Sequence, residues 1–143
     1  MTWVKNISFY IVAALALNSL SIFLESPFLS KFLNDNLINI LINLLAINTA
    51  TTGIVLTKLK EISENHKNFD FSDSYKELKF ALIEQIILIG LSITALIFRD
   101  SAVIQAKLLH HNFIVDTLIT AIFINALDTL HDTGKAIFLI IKK

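Results

Sequence analysis

A chain of 143 residues carries 12 basic and 12 acidic side chains, is 55% hydrophobic and has a mean hydropathy of +0.68. Ordinary soluble domains are about 45–50% apolar, and a domain of this size buries only roughly 70% of its unfolded surface, so a water-soluble fold would leave large apolar patches exposed. The lack of cysteine excludes disulfides, iron–sulfur clusters and thiolate metal sites, zero net charge gives no field for nucleic acid, and three glycines with one proline leave no flexible linker.

The first apolar run covers 7–24, long enough for a membrane span. Lys5 ahead of it and Ala14-Leu15-Ala16 within it have the form of a secretory leader, but the run is read as a true span. Ser26 before Pro27 has the form of an N-cap with proline at the first helical position. It predicts a short interfacial helix over 27–33 carrying Phe28 and Phe32. Asn34, Asp35 and Asn36 then form a turn that caps the second span, 37–57.

The loop 58–79 contains neither glycine nor proline, so the second helix is expected to run on to about Glu64, with the turn at 65–73. Ser74 and Glu77 have capping-box spacing, which starts the third helix near Tyr75, before it enters lipid at Phe80 and crosses over 80–98. The fourth span, 113–130, is a long helix that projects from the bilayer toward Ile141. Gly134 offers a bend for 136–141, with Lys142 and Lys143 as the surface anchor.

Lys5, the lysines of the loop and those of the C-terminal tail outnumber Lys31, Arg99 and Lys107 of the two other connections. The positive-inside bias therefore places both termini and the loop in the cytoplasm. The fold expected is an all-α integral membrane four-helix bundle, N-in and C-in, one domain over 1–143. Abundant Ile, Asn and Lys suit an AT-rich bacterial genome, which makes the location a bacterial inner membrane, multi-pass.

Polar residues inside lipid are expensive unless they face protein or water, so a shared face is informative. Asn36, Asn39, Asn43, Ala46, Ala50, Gly53 and Thr57 fall on one heptad stripe of the second helix, flanked by Asn48, Thr49, Thr51 and Thr52 and opposed by Ile, Leu and Val. Two readings stand: close helix packing through small residues and carboxamide bonds, or the lining of a water-filled oligomer axis.

On the fourth helix Thr117, Ala121, Asn125, Asp128, Asp132 and Lys135 share a second face, with Lys135 spaced to pair with Asp132. It reads either as a helix becoming solvated or as carboxylates at the inner mouth of a cation pathway. Glu84 is expected to snorkel or to pair with Lys58 or Lys60, and Asp116 to complement a helix N-terminus. His110 and His111 are adjacent, so they diverge on a helix, and no metal or cofactor is expected. Lys58, Lys60, His66, Lys67, Lys76 and Lys79, with Phe69, Phe71 and Tyr75 among them, form a solvated hairpin or a cytoplasmic ligand-binding surface.

No glycine-rich phosphate loop or hydrolase motif is present, and Ser92 has no histidine partner in its span, so an enzyme is not expected. The sequence points to a homo-oligomeric channel or membrane-permeabilising protein. The alternative is a non-conducting scaffold or anchor subunit of a larger membrane complex. In its four spans, the polar stripe from Asn39 to Thr57 and its compact cytoplasmic face, the whole chain resembles the small four-helix membrane effectors of bacterial antiphage defence. That resemblance implies a nucleotide, nucleic-acid or protein regulator and a toxic outcome.

Overall fold

The computed structural model describes the backbone of residues 2–65, 71–107 and 109–141, and the side chains of 6–64, 71–72, 74–107 and 109–135. All regular elements among them are helices: α1 (Thr2–Phe23), α2 (Phe28–Asn65), α3 (Ser72–Asp100), α4 (Ala102–Lys107) and α5 (His111–Ile141). The expected turn at 65–73 and the residues His66, Lys67 and Phe69 fall largely outside the described set, as do Lys142, Lys143 and the Lys5 side chain.

α5 is the hub and packs on α1, α2 and α3, while α1 and α2 touch only lightly. Tyr10 bonds Asp128 and Asn18 bonds Thr117, so numbering rises along α1 as it falls along α5 and the two run antiparallel. α2 and α3 form an antiparallel hairpin in which Val55 and Leu59 cluster with Leu78. The start of α1, the end of α2, the start of α3 and the end of α5 thus share one end of the bundle. Four helices are long and apolar enough to cross a bilayer, over Asn6–Phe23, Phe28–Glu64, Ser74–Asp100 and His111–Lys135.

The α1–α2 corner is built by local bonds. Glu25 takes the left-handed conformation (φ 50°), Ser26 N–H donates to Ser21 O at 2.9 Å and Glu25 N–H to Ile22 O at 3.0 Å, a C-cap usually given to glycine. Phe28 N–H donates to Ser26 Oγ at 3.4 Å, so Ser26 and Pro27 do open a helix. That helix does not stop at Leu33. α2 passes through Asn34-Asp35-Asn36 unbroken, because Leu33 and Leu37 are both wholly buried one turn apart and Asn36 Nδ2 donates back to Phe32 O at 2.9 Å. Burial overrides the turn preference of the three polar residues.

Two other boundaries differ from the sequence reading. α3 starts at Ser72 rather than near Tyr75; its N-cap is Phe71, with no side-chain cap bond, and Tyr75 N–H already donates to Phe71 O at 3.0 Å. The Ser74–Glu77 pair lies inside the first turns and caps nothing. α5 runs as unbroken helix through Gly134 to Ile141, since a lone glycine costs a helix only about 1 kcal/mol relative to alanine.

The main core joins Leu33, Leu37, Leu41 and Leu44 of α2 to Leu88 and Ala95 of α3 and to Val115, Ile119, Ile122 and Ala126 of α5. A small cluster of Tyr10, Ala14 and Ala121, with Ile124 against it, seals α1 to α5. Outside, Phe9, Ile22, Ile47, Ile54, Ile86, Ile87 and Ile97 are exposed. An apolar exterior over a core that holds Asn, Gln, Ser and Thr suits lipid as the solvent.

Candidate functional site

The α2 stripe faces away from the bundle. Asn36 is half-buried, and Asn39, Asn43, Ala46, Ala50, Gly53 and Thr57 are exposed. Thr57 donates to Gly53 O at 3.0 Å and Asn36 to Phe32 O, whereas the carboxamides of Asn39 and Asn43 have no hydrogen bond within the protomer. A Cβ added at Gly53 meets nothing within 4 Å. The stripe is therefore an unpartnered polar groove on the apolar outer surface, not an internal lining of one chain.

The inward face of α2 has its own polar break. It reads Leu33, Leu37, Leu41, Leu44, then Asn48 and Thr52, then Val55 and Leu59. On α3 the matching sequence is Leu78, Gln85, Leu88. Asn48, Thr52 and Gln85 thus separate two apolar clusters. Both ends of the Asn48 and Gln85 carboxamides and the Thr52 hydroxyl are buried without a protein partner, although such groups are nearly always bonded to protein or water.

At the same level α5 and α1 add charge. Glu84 lies against the Asn125 carboxamide and faces Asp128 and Asp132. Lys58 and Lys60 pair instead within α2, with Glu61 at 2.6 Å and Glu64 at 3.9 Å, so the expected Glu84 partners are spent on their own helix one turn away. Tyr10 OH donates to Asp128 Oδ2 at 2.5 Å. Asp132 holds Lys135 Nζ at 3.1 Å and His131 Nδ1 at 3.9 Å. Asp128, His131 and Asp132 bring one ligand atom each within 4.8 Å of one another, but His131 and Asp132 are largely exposed and the Lys135 ammonium already neutralises Asp132.

The loop cations are dispersed. Lys58, Lys60, Lys76 and Lys79 are exposed on the α2–α3 hairpin, and His66 and Lys67 lie outside the described residues. A groove of about 410 Å³ beneath the hairpin tip is lined by Lys60, Ser63, Glu64, Ser72 and Tyr75 over an apolar base of Leu56, Leu59 and Phe71.

The opposite end carries a site that periodicity does not reveal. Asp116 lies on the second turn of α5, beyond the reach of the N-terminal dipole, and pairs instead with Arg99 at 2.5 Å, the two side chains 17% and 18% exposed. His111 Nε2 lies 3.3 Å from Arg99 O and is buried, while His110 is exposed with φ 63°, so the two histidines do diverge. Above them opens a cavity of about 750 Å³ bounded by Asn18, Ser21, Glu25, Gln105, His111 and Asp116 among others. Thr117 and Thr120 donate to Phe113 O (2.8 Å) and Asp116 O (2.7 Å), so toward Asn18 they can only accept. That fixes Asn18 Nδ2 toward them, at 3.4 and 3.3 Å, and leaves Oδ1, which accepts no bond, to the cavity.

Sequence reasoning gave no role to Tyr10, Asn18 or Gln85 and took Arg99 only as a cation of an outer connection. The available signal was Asn18, a carboxamide in the middle of an otherwise apolar run with serines around it.

Fold and site define a helical bundle with four candidate transmembrane helices and polar groups inside. Comparison with protein-family models, with curated proteins and with solved structures finds no match.

Proposed function

We propose that this chain is the subunit of a homo-oligomeric channel or membrane-permeabilising protein of the bacterial inner membrane, both termini cytoplasmic, and that it acts as an antiphage effector released by a cytoplasmic nucleotide, nucleic-acid or protein regulator at the α2–α3 hairpin. The observation that carries the assembly is the outward stripe: Asn39 and Asn43 present unbonded carboxamides on a lipid-facing helix, beside Ala46, Ala50 and Gly53. In hydrocarbon such groups need protein or water. A second copy supplies both close approach at the small residues and carboxamide bonds worth roughly 0.6–2 kcal/mol each. The carboxylates of Glu84 and Asp128 toward the end of the bundle where α1 starts give a permeation route a preference for cations.

The test is the oligomeric state in detergent, followed by ion flux from liposomes with and without the products of neighbouring genes. A defined homo-oligomer that passes cations, with selectivity reduced by Asp128→Asn, is the expected result. A monomer that crosslinks only to another protein and passes no ions identifies the anchor subunit of a larger complex instead.

A further inference from the structure

The interior of the protomer is polar at two levels, and between them it is apolar but for Ser92, whose hydroxyl is bonded to Leu88 O of its own helix at 2.8 Å. Toward one end lies the open cavity whose floor is Asn18, 4% exposed, with Oδ1 unbonded and facing the space. Toward the other lie Tyr10, Asn48, Glu84, Gln85, Asn125 and Asp128, of which Asn48 and Gln85 are fully buried and Asp128 stands one turn from exposed Asp132. Asn48 and Gln85 leave donors and acceptors unpaired together. Water satisfies both kinds at once, and a bare cation satisfies only the acceptors. Asn48 also sits nine residues in from Thr57, about 14 Å along the helix at 1.5 Å per residue, so this level reaches the middle of the span.

Between the two levels the α1–α5 seam is closed by Ala14, Ala121 and Ile124. Along α5 the polar side chains of Thr120 and Asn125 stand five residues apart, about 7.5 Å. Along α1, Asn18 and Tyr10 stand eight residues apart, about 12 Å. An apolar layer this thin can stop permeation by dewetting and open with a small helix displacement.

We propose that each protomer contains two hydrated vestibules separated by this apolar layer, and that protons and small cations cross the membrane through them, inside the protomer. The inference rests on the channel reading and places its route. The α2 stripe then serves assembly alone, and Glu25 at one entrance and Glu84 and Asp128 at the other set the charge preference.

The chain has no native cysteine, so single cysteines report hydration directly. In vesicles, Asn18→Cys and Gln85→Cys react with a charged methanethiosulfonate from opposite faces of the membrane. They react at least about tenfold faster than Ala14→Cys in the barrier or Ile86→Cys on the lipid face, because only a thiolate in water is the nucleophile. Proton flux, read with a dye trapped in liposomes, falls to background once Gln85→Cys is labelled. Equal, slow labelling at all four positions overturns the vestibules. Flux that persists after complete labelling overturns the route but leaves the channel reading intact, and flux absent from the unsubstituted protein overturns the channel reading itself. Radical footprinting of the unsubstituted chain gives a check that needs no variant to fold: Tyr10, 7% exposed, is oxidised several-fold faster than Phe9, 65% exposed. The reverse order places Tyr10 in a dry site and sinks the proposal.

Discussion

Arg99 and Asp116 are held together with most of both side chains covered by protein, so their worth is set by what remains when one is removed. Arg99→Ala strands a carboxylate in the wall of the cavity and should cost about 3–5 kcal/mol, whereas the double replacement Arg99→Met with Asp116→Leu should recover most of that loss. Denaturant titration in micelles, followed by helical circular dichroism, checks both. The pair was not legible in the sequence. Asp116 looks like a helix-dipole residue until the α3–α5 connection is known, and no periodicity gives the path of a connection. The same holds for Tyr10 and Asp128, 118 residues apart. Lys135 and Asp132 were legible because three residues on one helix fix their separation.

At the scale of the element, α2 carries two faces with different tasks. The leucine face packs inward and the Asn/Ala/Gly face is left outside. The division between polar and apolar sides could be read from heptad spacing, as could the extension of the helix toward Glu64. Two things could not. Asn34-Asp35-Asn36 is a turn by local chemistry, and only the burial of Leu33 and Leu37 against other helices keeps it helical. Asn48 and Thr52 look like flanks of the stripe, yet they point into the bundle, because a rotation of one residue is enough to move a side chain to another neighbour. Gly53 separates the tasks experimentally. Gly53→Leu has open space around it in the protomer and should leave its melting temperature within a degree or two, while shifting the oligomer toward monomer in native mass spectrometry. An unchanged oligomer removes the stripe from the interface.

For the whole molecule, the four long apolar helices were legible from hydropathy, since a candidate span is a continuous apolar run of helical length. The sidedness expected from lysine placement is testable with the same cysteine-free background. Lys79→Cys should react with an impermeant reagent only from the cytoplasmic face and Lys107→Cys only from the opposite face. The reverse result inverts the protein, and labelling from a single face breaks the four-span arrangement.

The length of α2 has a mechanical consequence. Its 38 residues make a rod of about 57 Å at 1.5 Å per residue. Even tilted by ~40°, the rod rises about 44 Å through a hydrocarbon layer of roughly 30 Å. No tilt within the usual range hides it, so if α2 crosses a bilayer, nine or more of its residues extend past the hydrocarbon. A sideways pull at its tip turns about the headgroup layer as a fulcrum, and the buried end swings the opposite way.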